Sequence, residues 1–337
     1  MRSELEAPLF AGLPDEELRQ LLRPVDLQAG EVLFRQGEEA DGLYVVAGGS
    51  VGVYSRLPGG GEVQLAVLGA AQVVGELALV DGGMRTATVR ALEPTAALFF
   101  GRADFLALAS RLDPTAFALK RRLAAIVCDR LRGRLEALSG SLDEHDAAPE
   151  VSTEALVPAP VPNEGYLVRL QFFRAFPPLQ LPRLLAACRT LEIPAYRALL
   201  RAGARSDMAY VTLNGAVEEV LGWGRRRIRV RLAGPGHAVG YVGLLDGGPS
   251  PVTVATRERA LLLAIPAATF AELFDGATAL SYAFVEAVQR DLITAFRQAE
   301  RPQARLAAAQ QARRGGRSSG TSASVTSRNE RANSRKR

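Results

Sequence analysis

The chain contains one domain's worth of sequence twice. Residues 31–54, EVLFRQGEEADGLYVVAGGSVGVY, lie on residues 197–220, RALLRAGARSDMAYVTLNGAVEEV, at an offset of 166. Arg35 then falls on Arg201, Gly37 on Gly203, Asp41 on Asp207, Tyr44 on Tyr210, Gly49 on Gly215 and Val51 on Val217. Further on, residues 74–89 lie on 239–254 at an offset of 165, and upstream 9–22 resemble 172–185. Three blocks in one order mean that whatever fold the chain adopts, it builds it twice. A length of 337 residues is enough for two such domains.

Both copies follow one plan. Short apolar strands such as LYVVAG, SVGVYS and VQLAVLG alternate with glycine-rich turns, the pattern of a β-sandwich or barrel. A short helix is expected ahead of them, with Asp15 and Glu16 near its N-terminus, where the helix dipole favours acids. Leu119, Leu123, Ile126, Val127, Leu131 and Leu135 recur at helical spacing and predict a closing helix over 114–138. Its counterpart is expected over 278–298. The domains are therefore drawn at 1–138 and 166–301, with a polar, proline-rich linker at 139–165. Residues 302–337 have no apolar periodicity and are expected to form a disordered basic tail.

Charge narrows the choice of partners. The whole chain carries a formal +5, but residues 301–337 hold ten Lys/Arg and one acid, so the body is net −4. The folded part has no overall basic footprint for nucleic acid, and the tail is left as a place for a non-specific acidic partner. No apolar run reaches the ~18 residues that would cross a bilayer, and no secretory signal is read at the N-terminus. Cys128 and Cys188 stand far apart among apolar residues, as free thiols of a reducing, cytoplasmic compartment would.

The segment 73–91, VVGELALVDGGMRTATVRA, holds the concentrated chemistry. Backbone N–H groups around Gly75–Ala78 can converge on one anion, and the Arg85 fork can bind two of its oxygens. Glu76 is an acceptor for a hydroxyl such as that of a sugar. An acid for a ribose and a base for a phosphate describe a nucleotide site without a polyphosphate cradle.

Here the chain resembles the cyclic nucleotide-binding domain family. The family's phosphate-binding cassette runs G-E-(apolar)-A-L-(apolar), a few variable residues, then R-(A/T/S)-A-x-V. This chain reads Gly75-Glu76-Leu77-Ala78-Leu79-Val80 and then Arg85-Thr86-Ala87-Thr88-Val89. Met84 stands where the family often has proline. The resemblance covers about 9–138 and, more weakly, about 166–300. It implies a mainly β fold with flanking helices, two tandem double-stranded β-helix (jelly-roll) domains, and a closing helix that acts as a lid. It implies that Glu76 accepts from the ribose 2′-hydroxyl and that Arg85 pairs with the cyclic phosphate. Backbone amides near Leu77, Ala78 and Ala87 would line that phosphate, and Thr86 could add a hydroxyl. Threonine at this position accompanies either cyclic AMP or cyclic GMP. Arg130 and Arg134, beside the apolar seam of the closing helix, are candidates to cap the purine. Neither Glu76 nor Arg85 is expected on the apolar face of a strand, so replacing either should leave the domain folded.

The second copy departs where it matters. Gly240 matches Gly75, but Tyr241 replaces the glutamate, Ser250 the arginine, and Pro251 follows in place of Thr86. Without the charged pair the second domain is expected to be silent toward the nucleotide and to serve a structural or protein-binding role, and a structural or protein-interaction protein stays open as an alternative for the chain. Enzyme chemistry has little to work with: His145 and His237 are the only histidines, and no triad, zinc spacing or P-loop occurs. No metal is expected. A regulator of the cyclic-AMP-receptor type is the natural rival, but no helix-turn-helix with a polar recognition face is found after the first copy. The layout resembles that of kinase regulatory subunits, so the expectation is a non-enzymatic cyclic-nucleotide sensor with one live site and an unidentified protein effector.

Overall fold

The computed structural model describes residues 9–10, 20–57, 60–110, 114–140, 157–224, 227–299 and 302. Asp15 and Glu16 of the expected opening helix, residues 141–156 of the linker with His145, and the tail from 303 onward lie outside the described residues.

The first repeat runs β1 (Leu22–Leu27), β2 (Val32–Phe34), β3 (Gly42–Gly48), β4 (Ser50–Arg56), β5 (Glu62–Gly69), β6 (Val73–Val74), α1 (Leu77–Asp81), β7 (Thr88–Ala91), β8 (Thr95–Gly101), α2 (Arg102–Ser110) and α3 (Pro114–Ser139). The second opens with β9 (Val157–Pro158), α4 (Glu164–Leu167), a 3₁₀ turn at Gln171–Ala175 and α5 (Leu181–Ala186). It then repeats the series as β10 (Arg189–Ile193), β11 (Ala198–Leu200), β12 (Met208–Asn214), β13 (Val217–Leu221), β14 (Ile228–Ala233), β15 (Ala238–Val239), α6 (Val242–Asp246), β16 (Thr253–Thr256), β17 (Ala260–Pro266) and α7 (Ala267–Asp275). Helix α8 (279–299) closes it.

The topology repeats as faithfully as the sequence. Sheet order is β1-β8-β3-β6 with β2-β7-β4-β5 in the first domain, and β10-β17-β12-β15 with β11-β16-β13-β14 in the second. All pairings are antiparallel, and each domain is a two-sheet jelly roll with flanking helices. Corresponding residues even share partners: Val53 faces Ala66 across β4 and β5, and Glu219 faces Arg231 across β13 and β14. Part of the expected linker joins the fold, since Val157 and Pro158 add a fifth strand to the β10 edge.

The apolar stripe read on the closing helix serves two cores. Leu119 and Leu123 of α3 pack with Val45, Phe100 and Phe105 of the first domain. Val127, Leu131 and Leu135, further along the same helix, pack into the core of the second. Each buried leucine is worth about 1.5–3 kcal/mol at most, so the two domains share apolar surface rather than merely touch.

Helices α3 and α8 run side by side. Phe117 stacks on Tyr282 at 4.2 Å, Lys120 Nζ lies 3.3 Å from Glu286 Oε2, and Arg134 meets Phe296. Arg132 of α3 also grips Asp246 of α6 with two bonds, at 2.6 and 2.8 Å. Cys128 and Cys188 are free thiols, and burial pushes both up to about 12, which keeps them protonated and inert.

Candidate functional site

The site begins where β6 ends. At Gly75 the chain turns with φ +79° into α1, and a Cβ there would lie 2.3 Å from Nη1 of Arg85. Both the left-handed backbone and the close approach demand glycine. Gly75→Ala is expected to destabilise the first domain by about 1–3 kcal/mol from backbone strain alone. A thermal melt checks this, and an unchanged midpoint would refute it.

Arg85 is held from three sides. Its Nη1 donates to the carbonyls of Gly42 at 2.7 Å and Gly75 at 3.3 Å, and its Nη2 donates to Asp41 Oδ1 at 2.9 Å. The guanidinium lies 4.1 Å from the ring centre of Phe34. Burial lowers its pKa, an effect that Asp41 partly offsets. That carboxylate is itself water-facing, with 71% of its side chain exposed. A buried cation whose one acidic partner is solvated gains from an arriving anion.

Glu76 is 3% exposed, and its Oε2 lies 2.6 Å from Nη1 of Arg130. Arg130 also donates to the carbonyl of Val73. Helix α3 is thereby tied to the cassette. Arg130, one of the two candidates to cap the purine, thus stands at the acid with its guanidinium on Glu76. Arg134, the other candidate, lies 3.9 Å from the ring centre of Phe296 and donates to that residue's carbonyl at 3.0 Å. Neither Glu76 nor Arg85 lies in a strand, since both stand in the segment between β6 and β7, yet both are buried.

These groups surround a cavity of about 340 Å³, within the range of small-ligand sites. Gly75, Glu76, Leu77, Arg85, Thr86 and Ala87 line it. Arg130 and Arg134 close it from α3, while Ala78 lies within α1. The far end is apolar, built by Val53, Leu65 and Ala66 of the sheet, with Phe296 of α8 reaching in from the second domain. Arg297 donates to the carbonyl of Met84 at the rim. Phe34 and Phe296 were not found from the sequence. Phe34 stands outside the cassette pattern, and Phe296 looks like one more apolar residue on a helix of the other domain.

The corresponding place in the second domain is occupied by side chains. Glu219 stands where Val53 does, Arg231 where Ala66 does, and Tyr241 where Glu76 does; all three are buried. Arg231 Nη2 donates to Asp291 Oδ1 of α8 at 2.8 Å and its Nη1 to the carbonyl of Ala238 at 2.9 Å. The Tyr241 hydroxyl donates to Asp291 Oδ2 at 3.0 Å, and His237 Nδ1 lies 3.0 Å from Oδ1. Burial works against each charge. Asp291, Tyr241 and Glu219 more than offset it for Arg231, whose pKa is raised. Burial raises the Asp291 carboxyl, but Arg231 and His237 bring it below its usual value. Burial prevails at Glu219, whose carboxyl is held above its ordinary range. Ser250, at the place of Arg85, is turned inward onto the carbonyl of Val252 at 2.7 Å.

The family model described as "Cyclic nucleotide-binding domain" matches twice, over residues 24–111 and 190–276, together just over half of the chain. The "Cyclic AMP receptor protein" of Thermus thermophilus is 39% identical over 129 residues, 37% of this chain and 58% of that protein. A "CRP-like cAMP-activated global transcriptional regulator" of Mycobacterium tuberculosis is 32% identical over 99 residues, 28% of this chain and 44% of that protein. The chain thus spans about half the length of these curated relatives. The regulatory domain of Toxoplasma gondii PKA, solved with cAMP, is similar at 20% identity, with 82% of this chain and 91% of that one covered and a TM-score of 0.30. The two family matches fall one on each repeat, and the chain belongs to the cyclic nucleotide-binding domain family, which it carries in tandem.

Proposed function

We propose that the chain is a cyclic-nucleotide sensor that takes one nucleotide, in the first domain. The observation that carries this reading is the meeting of two buried residues, Arg85 and Glu76, in the lining of one cavity. Arg85 and the amides of the cassette receive the cyclic phosphate. Glu76, with one oxygen already on Arg130, offers the other to the ribose hydroxyl. The apolar end and the Phe296 ring accept the purine, on which an aromatic face stacks. The ligand is bound and released unchanged, since the cavity offers a recognition set and no nucleophile poised beside a base; the reading gives the chain no enzymatic role.

Cyclic AMP is the first ligand to try, because the curated relatives are named for it. Closure of α3 and α8 over the nucleotide would pass its presence to a protein effector. Among the described residues no helix is long and apolar enough to cross a membrane and no cluster of metal-ligating side chains occurs; the two free thiols, Cys128 buried and Cys188 partly so, fit a reducing cytoplasm. The test is calorimetry on the purified chain with cyclic AMP, cyclic GMP and 5′-AMP. One site per chain for a cyclic nucleotide, with 5′-AMP much weaker, is expected. Two equivalent sites, or none, would overturn the reading.

A further inference from the structure

Helix α8 lies between the two domains, and its two sides are held very differently. Toward the second domain it presents Asp291, which is 3% exposed and takes bonds from Arg231, Tyr241 and the amide of Ala238. Toward the first it presents Phe296, in the wall of the cavity, and Arg297, on the Met84 carbonyl. Five residues along a helix are about 7.5 Å of rise and about 140° of net rotation, so Asp291 and Phe296 face nearly opposite ways. Fixing the first fixes the height and rotation of the second.

The two domains latch their closing helices with inverted chemistry. In the first domain the cassette supplies a carboxylate, Glu76, and the helix a guanidinium, Arg130. In the second the cassette supplies the Tyr241 hydroxyl and the helix a carboxylate, Asp291, while the guanidinium of Arg231 comes from the sheet. Arg231 and Glu219 take up the positions where Ala66 and Val53 leave room in the first domain. The second domain therefore holds its helix with its own side chains.

We propose that this ionic cluster is a built-in substitute for a ligand. Arg231, Asp291 and Tyr241 are positioning residues that keep α8 docked, so that Phe296 stands ready over the first domain's cavity. The proposal rests on the reading that this cavity takes a cyclic nucleotide. It gives the silent domain a role in binding: it prepares the neighbour's site, whose affinity then depends on residues that never touch the ligand.

The experiment uses the full chain with Asp291→Asn, and Tyr241→Phe as a milder second variant. Cyclic AMP affinity by calorimetry should fall about 5- to 30-fold for Asp291→Asn, the size of coupling seen between linked sites. For Tyr241→Phe the fall should be roughly 2- to 5-fold by the same scale. In a Phe296→Ala background neither substitution should weaken binding much further, because the group they position is gone. Hydrogen exchange without nucleotide provides an independent arm. Amides at the cavity rim, 84–87, should exchange faster in both variants, while strands β12 and β17 keep their protection. Unchanged affinity in a folded variant, an undiminished loss in the Phe296→Ala background, or faster exchange confined to the second domain would each overturn the proposal. A parent chain that binds no cyclic nucleotide would instead overturn the functional reading, and the exchange arm would then decide this one alone. If Asp291→Asn does not fold, Tyr241→Phe decides both arms.

Discussion

Arg231→Ala is expected to destabilise the second domain by about 3–5 kcal/mol, because it strands buried acids without their cation. Arg231 is 2% exposed and Asp291 3%, so water cannot take over the lost partner. The Asp291 carboxyl is kept below its usual pKa by Arg231 and His237 against the opposing pull of burial. Remove Arg231 and burial dominates: the acid must take up a proton or break open the site. A domain of this size holds only about 5–15 kcal/mol in all. A melting midpoint lower by roughly 10–20 °C is therefore expected. Arg231→Met combined with Asp291→Leu should recover most of the loss, since a buried ion pair and a packed apolar pair of similar volume are often close in stability. Glu219, held above its ordinary range by burial, would then lose both the Arg231 charge that lowers it and the Asp291 charge that raises it. Circular dichroism and calorimetric melts of the three chains decide it. A single variant as stable as the parent would mean that the cluster carries no burial penalty and is wetter than its geometry indicates.

The repeat was legible because its marks are local. Gly49 and Gly215 have φ +80° and +79°, and a Cβ at either would strike a backbone carbonyl at 2.5 or 2.4 Å. A backbone requirement of that kind needs the same residue in both copies, whatever else drifts. The cassette was legible for a similar reason, since Gly75, Glu76 and Arg85 all belong to the short segment between β6 and β7. What could not be read is contact between distant segments. Leu119 and Leu131 look alike on one helical stripe, yet they enter different cores. Phe296 is an ordinary apolar residue of α8 until the fold brings it to the other domain's cavity. Glu219, Arg231 and Asp291 belong to no motif in the sequence and lie on two strands and a helix. Only their joint burial, with Glu219 and Arg231 at the places of Val53 and Ala66 in the first copy, shows that the three form one cluster.

Arg85→Ala should have the largest effect on binding and a visible one on the empty protein. With nucleotide, the buried side chain meets a phosphate, and truncating one partner of such a pair costs about 2–5 kcal/mol. Affinity for cyclic AMP should then fall roughly 30- to several-thousand-fold. Without nucleotide, the same change strips the Gly42 carbonyl of its donor and removes the cation from the Phe34 ring. Each lost contact costs about 1 kcal/mol, so a lower melting midpoint should accompany the binding defect. Arg85→Lys separates the two effects: it keeps the charge but gives up the planar fork that reaches Gly42, Gly75 and Asp41 together, and should bind about tenfold more weakly than the parent. The pair with Gly75 gives an internal check. A Cβ at position 75 collides with Nη1 of Arg85, so Gly75→Ala should cost less in the Arg85→Ala chain, where only the φ +79° strain remains. If Arg85→Ala stays folded and binds cyclic AMP as tightly as the parent, the guanidinium is a structural tie between β3 and the cassette, and the cavity recognises its anion by backbone amides alone.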